Sequence, residues 1–299
     1  MFIFITKAYN PKINKEFNNE IKELQVNKNL KIYFLKVNKI IPLEKNILKA
    51  VNLIQNNKNI THIVFTSQNG SVLFFDFIYK NKLNNVIDIL RTKEFLSVGN
   101  KTAQSIKKNG FDNISYPSKF LTSDLADLII NINKNSSKKL YFLILRSKIS
   151  NPELINKLKK AKVKFKQIHI YTLKPNNRFK KTKEYKILKI LLKLKDNSNS
   201  YLYDYAIIEK NINKKEKIYL IFTSPSNSKT FFRYFKIEKL ITNQKVKFLP
   251  IGPITAKEIQ NYFKKYYRNK NIENINLNQK ILKFPENYTL KDCILKIIK

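Results

Sequence analysis

Residues 98–103 read VGNKTA, and residues 251–256 read IGPITA. The chain has 299 residues and only four glycines, and two of these, Gly99 and Gly252, stand inside the matching words. Upstream of the first word lies IVFTSQNGSVLFF, Ile63 to Phe75; upstream of the second lies LIFTSPSNSKTFF, Leu220 to Phe232. Thr66 and Thr223 are 157 positions apart and Gly99 and Gly252 are 153 apart, so two motifs recur in one order at nearly one offset. A third pair, YPSKFLTSDLADLI from Tyr116 and FPENYTLKDCILKII from Phe284, repeats an aromatic-Pro step, a Thr and an amphipathic run. Its offset is 168, which an insertion in the Lys/Asn-rich stretch Phe263 to Lys280 explains. A repeat of this length implies two similar domains; solenoid units run only about 20–50 residues.

Around these words, short apolar runs alternate with longer amphipathic ones, the rhythm of parallel α/β folds. Ten strands are expected: Phe2–Ile5, Lys31–Leu35, His62–Phe65, Phe95–Val98, Asn113–Tyr116, Leu140–Leu145, Lys166–Tyr171, Lys217–Phe222, Val246–Ile251 and Ile281–Phe284. Helical spacing marks Leu43–Gln55, Thr102–Asn109, Thr122–Ile132, Pro152–Ala161 and Thr255–Phe263. At the helix starts, Ser67, Thr102, Ser123, Asn151, Ser224 and Thr255 are expected to serve orphan N–H groups with a side-chain oxygen. Within Lys174–Glu216, Arg178 to Lys195 reads as a Lys-coated helix, whereas DNSNSYLYDY and NINKKEK read as loop in an insertion.

Composition narrows the function classes. A hydrophobic content of 43% supports real cores, and the length suits one large or two ordinary domains of about 100–200 residues. One cysteine, Cys293, excludes an internal disulfide framework and fits a reducing cytoplasm. The opening MFIFITKAYN has too short an apolar run for a secretory signal, and no run approaches the roughly 18 apolar residues of a membrane span. The formal charge of +38 raises nucleic-acid binding as an alternative. Only five of the 59 basic residues are Arg, however, and Lys is spread along the whole chain. Most lysines therefore read as solvated surface, and no specific nucleic-acid partner is expected.

In both units a hydrophobic-Phe-Thr-Ser phrase ends a strand and opens a helix. Ligands of open parallel sheets bind at the carboxyl ends of strands, where free N–H groups and the helix dipole attract anions. Thr66, Ser67, Thr223, Ser224 and Ser226 add hydroxyls there. Gly99 and Gly252 permit close backbone approach, with Thr102 and Thr255 capping the next helices while facing the same cleft. Four such sites in two copies favour an anion-binding cleft; a non-catalytic two-domain anion binder is a second alternative. His62 and His169 fall in strands and Cys293 on an apolar stripe, so all three read as packing residues. Neither a metal cluster nor a Walker loop nor GxGxxG occurs, so positioning, hydroxyls and amides must carry any chemistry.

The ordered set VFTSQNG, SVGNKTA, YPSKFLTSDLADLI, LILRS, HIYTLKP, IFTSPSNS, PIGPITA and FPENYTLKDCILKII resembles the uroporphyrinogen-III synthase family. The resemblance runs from FIFITK to the C-terminus and loosens across Lys174–Glu216 and Phe263–Lys280. It implies two flavodoxin-like or Rossmann-like parallel-sheet α/β domains joined by a two-stranded β linker. One domain is discontinuous, residues 1–35 plus 176–299; the other is the insert 36–175, with linkers near 36–39 and 172–175. It also implies closure of the linear tetrapyrrole hydroxymethylbilane, a substrate with eight carboxylates, to uroporphyrinogen III. Ring D is inverted and water is lost, without metal or organic cofactor, in a cytoplasmic monomer. On this resemblance Tyr171, in HIYTLKP, projects into the cleft and helps the hydroxyl depart, while Lys7, Lys101, Arg146 and Lys229 are candidate carboxylate partners. Lys7 stands where the family often has Arg.

Overall fold

The alternation FIFI at residues 2–5 sends Phe2 and Phe4 to one face of a strand and Ile3 and Ile5 to the other, and all four are buried. The computed structural model describes residues 1–9, 30–119, 121–194, 216–270 and 280–298. Its elements are β1 (Phe2–Tyr9), β2 (Lys31–Pro42), α1 (Glu44–Asn56), β3 (His62–Phe65), α2 (Gln68–Lys80), α3 (Asn84–Arg91), β4 (Glu94–Ser97) and α4 (Asn100–Lys107). There follow β5 (Ile114–Ser115), α5 (Thr122–Asn135), β6 (Phe142–Ser147), α6 (Glu153–Lys160), β7 (Phe165–Pro175), a 3₁₀ turn at Phe179–Lys181 and α7 (Lys183–Leu191). The chain closes with β8 (Ile218–Phe222), α8 (Pro225–Tyr234), α9 (Ile237–Thr242), β9 (Val246–Pro250), α10 (Pro253–Arg268) and α11 (Leu290–Ile298).

Two compact units emerge: Met1–Lys39 with Lys174–Lys299, and Ile40–Leu173. In the first, the strand order is β2-β1-β8-β9, every pair parallel, with Ile281 bridged in parallel to Phe248 at the β9 edge. Phe2 and Phe4 pack with Leu188 of α7, Phe231 of α8 and Phe263 of α10. Ile3 and Ile5 pack with Leu290, Cys293 and Ile294 of α11. Covering both faces is what a parallel sheet requires, since its crossovers leave helices on either side.

In the second unit the order is β5-β4-β3-β6-β7, again all parallel. Val64, Leu96, Phe142 and Ile144 meet α5 and α6. Phe65 on the opposite face joins Phe74, Phe75 and Phe95 in an aromatic cluster. Strand order reverses between β3 and β6 here, and between β1 and β8 in the other unit. Such reversals open a crevice at the carboxyl ends of strands.

Three expectations change. The tenth strand, Ile281–Phe284, shrinks to a single bridge, held where Phe248 N–H donates to Lys280 O and Leu282 N–H to Phe248 O, both at 2.8 Å. The ladder stops there because its next bond would run from the N–H of residue 250 to the Leu282 carbonyl, and Pro250 has no N–H to donate. Helix α10 runs on to Arg268, so the expected insertion from Phe263 begins inside a helix; residues 271–279 lie outside the described residues. The Lys-coated helix is shorter than Arg178 to Lys195, being the 3₁₀ turn plus α7. The expected loops DNSNSYLYDY and NINKKEK fall almost wholly on residues 195–215, also outside the described residues.

Candidate active site

In the Ile40–Leu173 unit the crevice at the strand reversal is built from β3, β6 and β7. β3 ends at Phe65; Thr66 N–H donates to the Leu145 carbonyl (3.4 Å), holding the exit of β3 against β6. Ser67 is extended and caps α2, its Oγ accepting from Gly70 N–H at 3.1 Å. The same Oγ lies 2.8 Å from the Tyr171 hydroxyl. Tyr171 reaches α2 through a β-bulge: Arg146 sits opposite His169, but Ser147 sits opposite Tyr171, leaving Ile170 as the extra residue. Consecutive strand residues normally face opposite sides. Here Ile170 and Tyr171 both approach Gly70, whose Cβ, if present, would meet their side chains at 3.6 and 3.7 Å. A bulge that re-aims one side chain is common beside active sites.

Tyr171 is 6% exposed. Burial raises its phenol above the ordinary value, while hydrogen bonds from Ser67 and Ser147 and the charge of Arg146 pull it back. The phenol is therefore neutral and able to donate at physiological pH. Arg146 is 2% exposed, with Nη2 donating to the Asn151 carbonyl at 2.5 Å. It lies inside the unit, opposite His169 of β7, and not on a surface facing solvent. Burial lowers the pKa of half-buried His169, and the nearby charges of Arg146 and Lys148 lower it further, so its imidazole is neutral.

One strand over, Gly99 follows β4 as the cap position of α4 with φ of 170°, an extended conformation open to any residue. The expected capping by Thr102 does not occur. The helix begins at Asn100, so Thr102 is its third residue, 4% exposed and turned inward, while Lys101 is on the exposed side.

The other unit repeats the plan with different wiring. Ser224 caps α8 by accepting from Asn227 N–H at 3.2 Å. Thr223 Oγ1 donates to the Thr6 carbonyl (2.5 Å) and accepts from Asn227 Nδ2 (2.9 Å). Asn38 Nδ2 in turn donates to Asn227 Oδ1 (2.8 Å) and to the carbonyl of half-buried Ser226 (3.2 Å), and Thr230 Oγ1 donates to Asn38 Oδ1 (2.8 Å). This buried polar chain fixes the N-terminus of α8 against β1 and β2. Gly252, extended at φ of −168°, precedes α10; a Cβ there would meet the Tyr288 ring at 3.4 Å, a packing distance, so neither backbone strain nor close approach demands the glycine. Thr255, like Thr102, is a third helical residue turned inward, 3% exposed, and not a cap. Lys229 pairs with Glu258 at 3.7 Å, and Lys7 is half-buried on β1.

Of the six expected caps, Ser67 and Ser224 act as such, and Asn151 Oδ1 accepts from Glu153 N–H at 3.1 Å. Ser123 lies inside α5, which starts one residue earlier. The Ile40–Leu173 unit thus gathers Thr66, Ser67 and Tyr171 at the strand ends, with Gly99 at the neighbouring strand end and Arg146 buried on β6. Sequence reasoning missed Gly70, Ser147, Asn38 and Asn227. For Gly70 the signal was its presence in a chain nearly without glycine; the others had none.

Parallel strands covered by helices, with Ser67 and Ser224 capping helices at the strand ends, define a mixed α/β protein. The chain belongs to the uroporphyrinogen-III synthase family: the family model described as uroporphyrinogen-III synthase HemD matches residues 31–271. It is 24% identical over 227 residues to the porphyrin biosynthesis protein HemD of Ruminiclostridium josui, an alignment covering 76% of this chain and 38% of that relative. The chain thus spans well under half that relative's length. Its fold resembles the crystal structure of uroporphyrinogen-III synthetase from Helicobacter pylori 26695, with TM-score 0.51 and 17% identity over 100% of this chain and 99% of that one. It also resembles a mutant uroporphyrinogen III synthase of the extremely thermophilic bacterium Thermus thermophilus, with TM-score 0.50 and 14% identity over 88% and 90%. Among the described residues no helix is long and apolar enough to cross a membrane.

Proposed function

We propose that this chain is a uroporphyrinogen-III synthase, cyclising and dehydrating hydroxymethylbilane with inversion of ring D. The observation that carries the reading is the Tyr171 phenol, set by a bulge 2.8 Å from the Ser67 hydroxyl at the mouth of α2 in a chain of this family. As a neutral donor it hydrogen-bonds the departing hydroxyl, and the loss of water leaves a cation-like azafulvene. Hydroxyls at Thr66, Ser224 and Ser226 and amides at Gly99 and Gly252 hold the carboxylates, while Ser67 and Thr223, whose protons go to Tyr171 and to the Thr6 carbonyl, fix the strand ends, so that the substituted carbon of ring D is the one attacked. Catalysis is then largely conformational control. Lys7, Lys101 and Lys229 supply positive charge near the rims; Thr102 and Thr255 support them from within.

The reading includes two flavodoxin-like or Rossmann-like domains, 1–35 with 176–299 and 36–175, joined by β linkers near 36–39 and 172–175, in a cytoplasmic monomer. The strand order β2-β1-β8-β9 with its Ile281 bridge supports the flavodoxin-like description of one domain. The test is rescue of a bacterial strain lacking its own uroporphyrinogen-III synthase. Growth without added haem is expected; no growth, with folded chain present in the cells, rejects the reading.

A further inference from the structure

The Ser67 hydroxyl makes two bonds, and only one of them serves its helix. Its Oγ accepts from Gly70 N–H at 3.1 Å, which caps α2, and lies 2.8 Å from the Tyr171 oxygen. A serine hydroxyl has one proton to give and needs an acceptor for it. Among the described residues the Tyr171 oxygen is the one acceptor bonded to Ser67 Oγ, so the proton between the two oxygens belongs to Ser67. The phenol proton is then turned away from α2.

The other unit shows that a serine cap does not need such a partner. Ser224 caps α8 in the same way, accepting from Asn227 N–H at 3.2 Å. The β1–β2 pair carries a bulge at the matching place: Lys7 sits opposite Lys36 and Ala8 opposite Asn38, leaving Val37 as the extra residue. Asn38 therefore stands where the first corner has Tyr171, yet its amide goes to Asn227 Oδ1 and the Ser226 carbonyl, not to Ser224 Oγ. Gly70, the counterpart of Asn227, completes the contrast. A Cβ there would crowd Ser67 Oγ at 3.3 Å and reach the Tyr171 ring at 3.7 Å. The Ser67–Tyr171 bond is thus an addition to the cap, and the bare glycine keeps room for it.

We propose that Ser67 is a positioning residue for Tyr171: by giving its proton to the phenol oxygen it makes Tyr171 an acceptor toward α2 and leaves the phenol proton for the departing hydroxyl of the substrate. This rests on the reading of Tyr171 given above. The substrate C–O bond breaks with its electron pair on oxygen, which takes the phenol proton and leaves as water. Ser67 keeps its own proton and bonds the phenolate throughout. A proton lost by the substrate on closure restores the phenol, so the net change is loss of one water.

The test separates the cap from the proton. Ser67→Ala removes both, Ser67→Asp keeps an acceptor for Gly70 N–H but has no proton to give, and Ser67→Thr keeps both. Thr182→Ala, which removes the cap of α7 at Tyr185 N–H, controls for lost stability alone. In each background 3,5-difluorotyrosine, whose phenol titrates near neutral pH, replaces Tyr171 and is followed by ¹⁹F NMR. Arg146, Lys148 and His169, the charged and titratable groups of the adjoining β6 and β7 positions, are the same in every variant. Ser67→Ala should raise the midpoint by about half a pH unit or more and Ser67→Asp by about one or more, while Ser67→Thr and Thr182→Ala stay near the native value. With natural Tyr171, Ser67→Ala should lower kcat about threefold, and Ser67→Asp at least as far although its cap is intact. A native midpoint and kcat in Ser67→Asp overturn the proposal and make Ser67 a cap only, as does an equal shift in Thr182→Ala or failure of both Ser67→Ala and Ser67→Asp to fold. A shifted midpoint in a chain that forms no uroporphyrinogen III keeps the role of Ser67 toward Tyr171 and rejects the proposed reaction. Product formation with unshifted midpoints does the reverse.

Discussion

Replacing Tyr171 with Phe separates chemistry from packing, because it removes one oxygen and leaves the ring against Gly70. The lost bonds are the 2.8 Å contact with Ser67 Oγ, which keeps its other partner, Gly70 N–H, at 3.1 Å, and the bond with Ser147. Two neutral hydrogen bonds contribute about 1 kcal/mol net each, and no charge is stranded, so the melting temperature should fall by about 4–8 °C. Turnover depends on the same hydroxyl in the transition state, where a proton donor supplies about 10²–10⁴ in rate. Type III formation should therefore drop by at least about tenfold while far-UV circular dichroism stays native. Ser67→Ala is the control: it removes the cap of α2, costing about 0.5–2 kcal/mol, but leaves the phenol. It should lose about as much stability as Tyr171→Phe and less activity. A Tyr171→Phe protein that keeps half its turnover, or that melts 10 °C lower, refutes the assignment and makes the phenol a packing group.

Acid should destabilise the fold through its histidines. Burial lowers the pKa of both His62 and His169 below the ordinary 6.5, so the unfolded chain binds protons first and stability falls as pH drops below about 6.5; denaturant titrations from pH 8 to 5 should show this, with a shallower slope in His62→Gln. Burial pushes the Cys293 thiol up to about 12, leaving about 10⁻⁴ as thiolate at pH 8; iodoacetamide should label it only after unfolding, and rapid native labelling would contradict its place in the core. Asn38→Ala strands the buried Thr230 hydroxyl and the Asn227 amide oxygen, a cost of roughly 2–4 kcal/mol by urea unfolding; a loss under 1 kcal/mol would show the network contributes little.

Doubled words in the chain were enough to place Thr66, Ser67, Thr223 and Ser224 at strand ends opening helices, because FTS motifs mark strand-to-helix junctions by local chemistry alone. Ser67 and Ser224 do cap α2 and α8. Thr102 and Thr255 misled because each helix starts directly after its glycine, moving threonine from cap to third helical residue, a shift of boundary that hydrophobic spacing does not resolve. The bulge at Ile170 has no periodic signature, so Tyr171 was readable as a residue of interest but not as one meeting Gly70 alongside its neighbour Ile170. Arg146 was one cation among 59, and Asn38 one asparagine in a chain rich in them; burial, which only tertiary packing creates, distinguishes both.

The most direct measurement mixes the purified chain with freshly generated hydroxymethylbilane and resolves the oxidised porphyrins by chromatography. Spontaneous closure gives the symmetric type I isomer, so the product itself reports whether the substrate was held in a curled shape during closure. The proposed activity predicts a type III fraction that rises with protein concentration until type I disappears. A type I product unchanged at every protein concentration contradicts it.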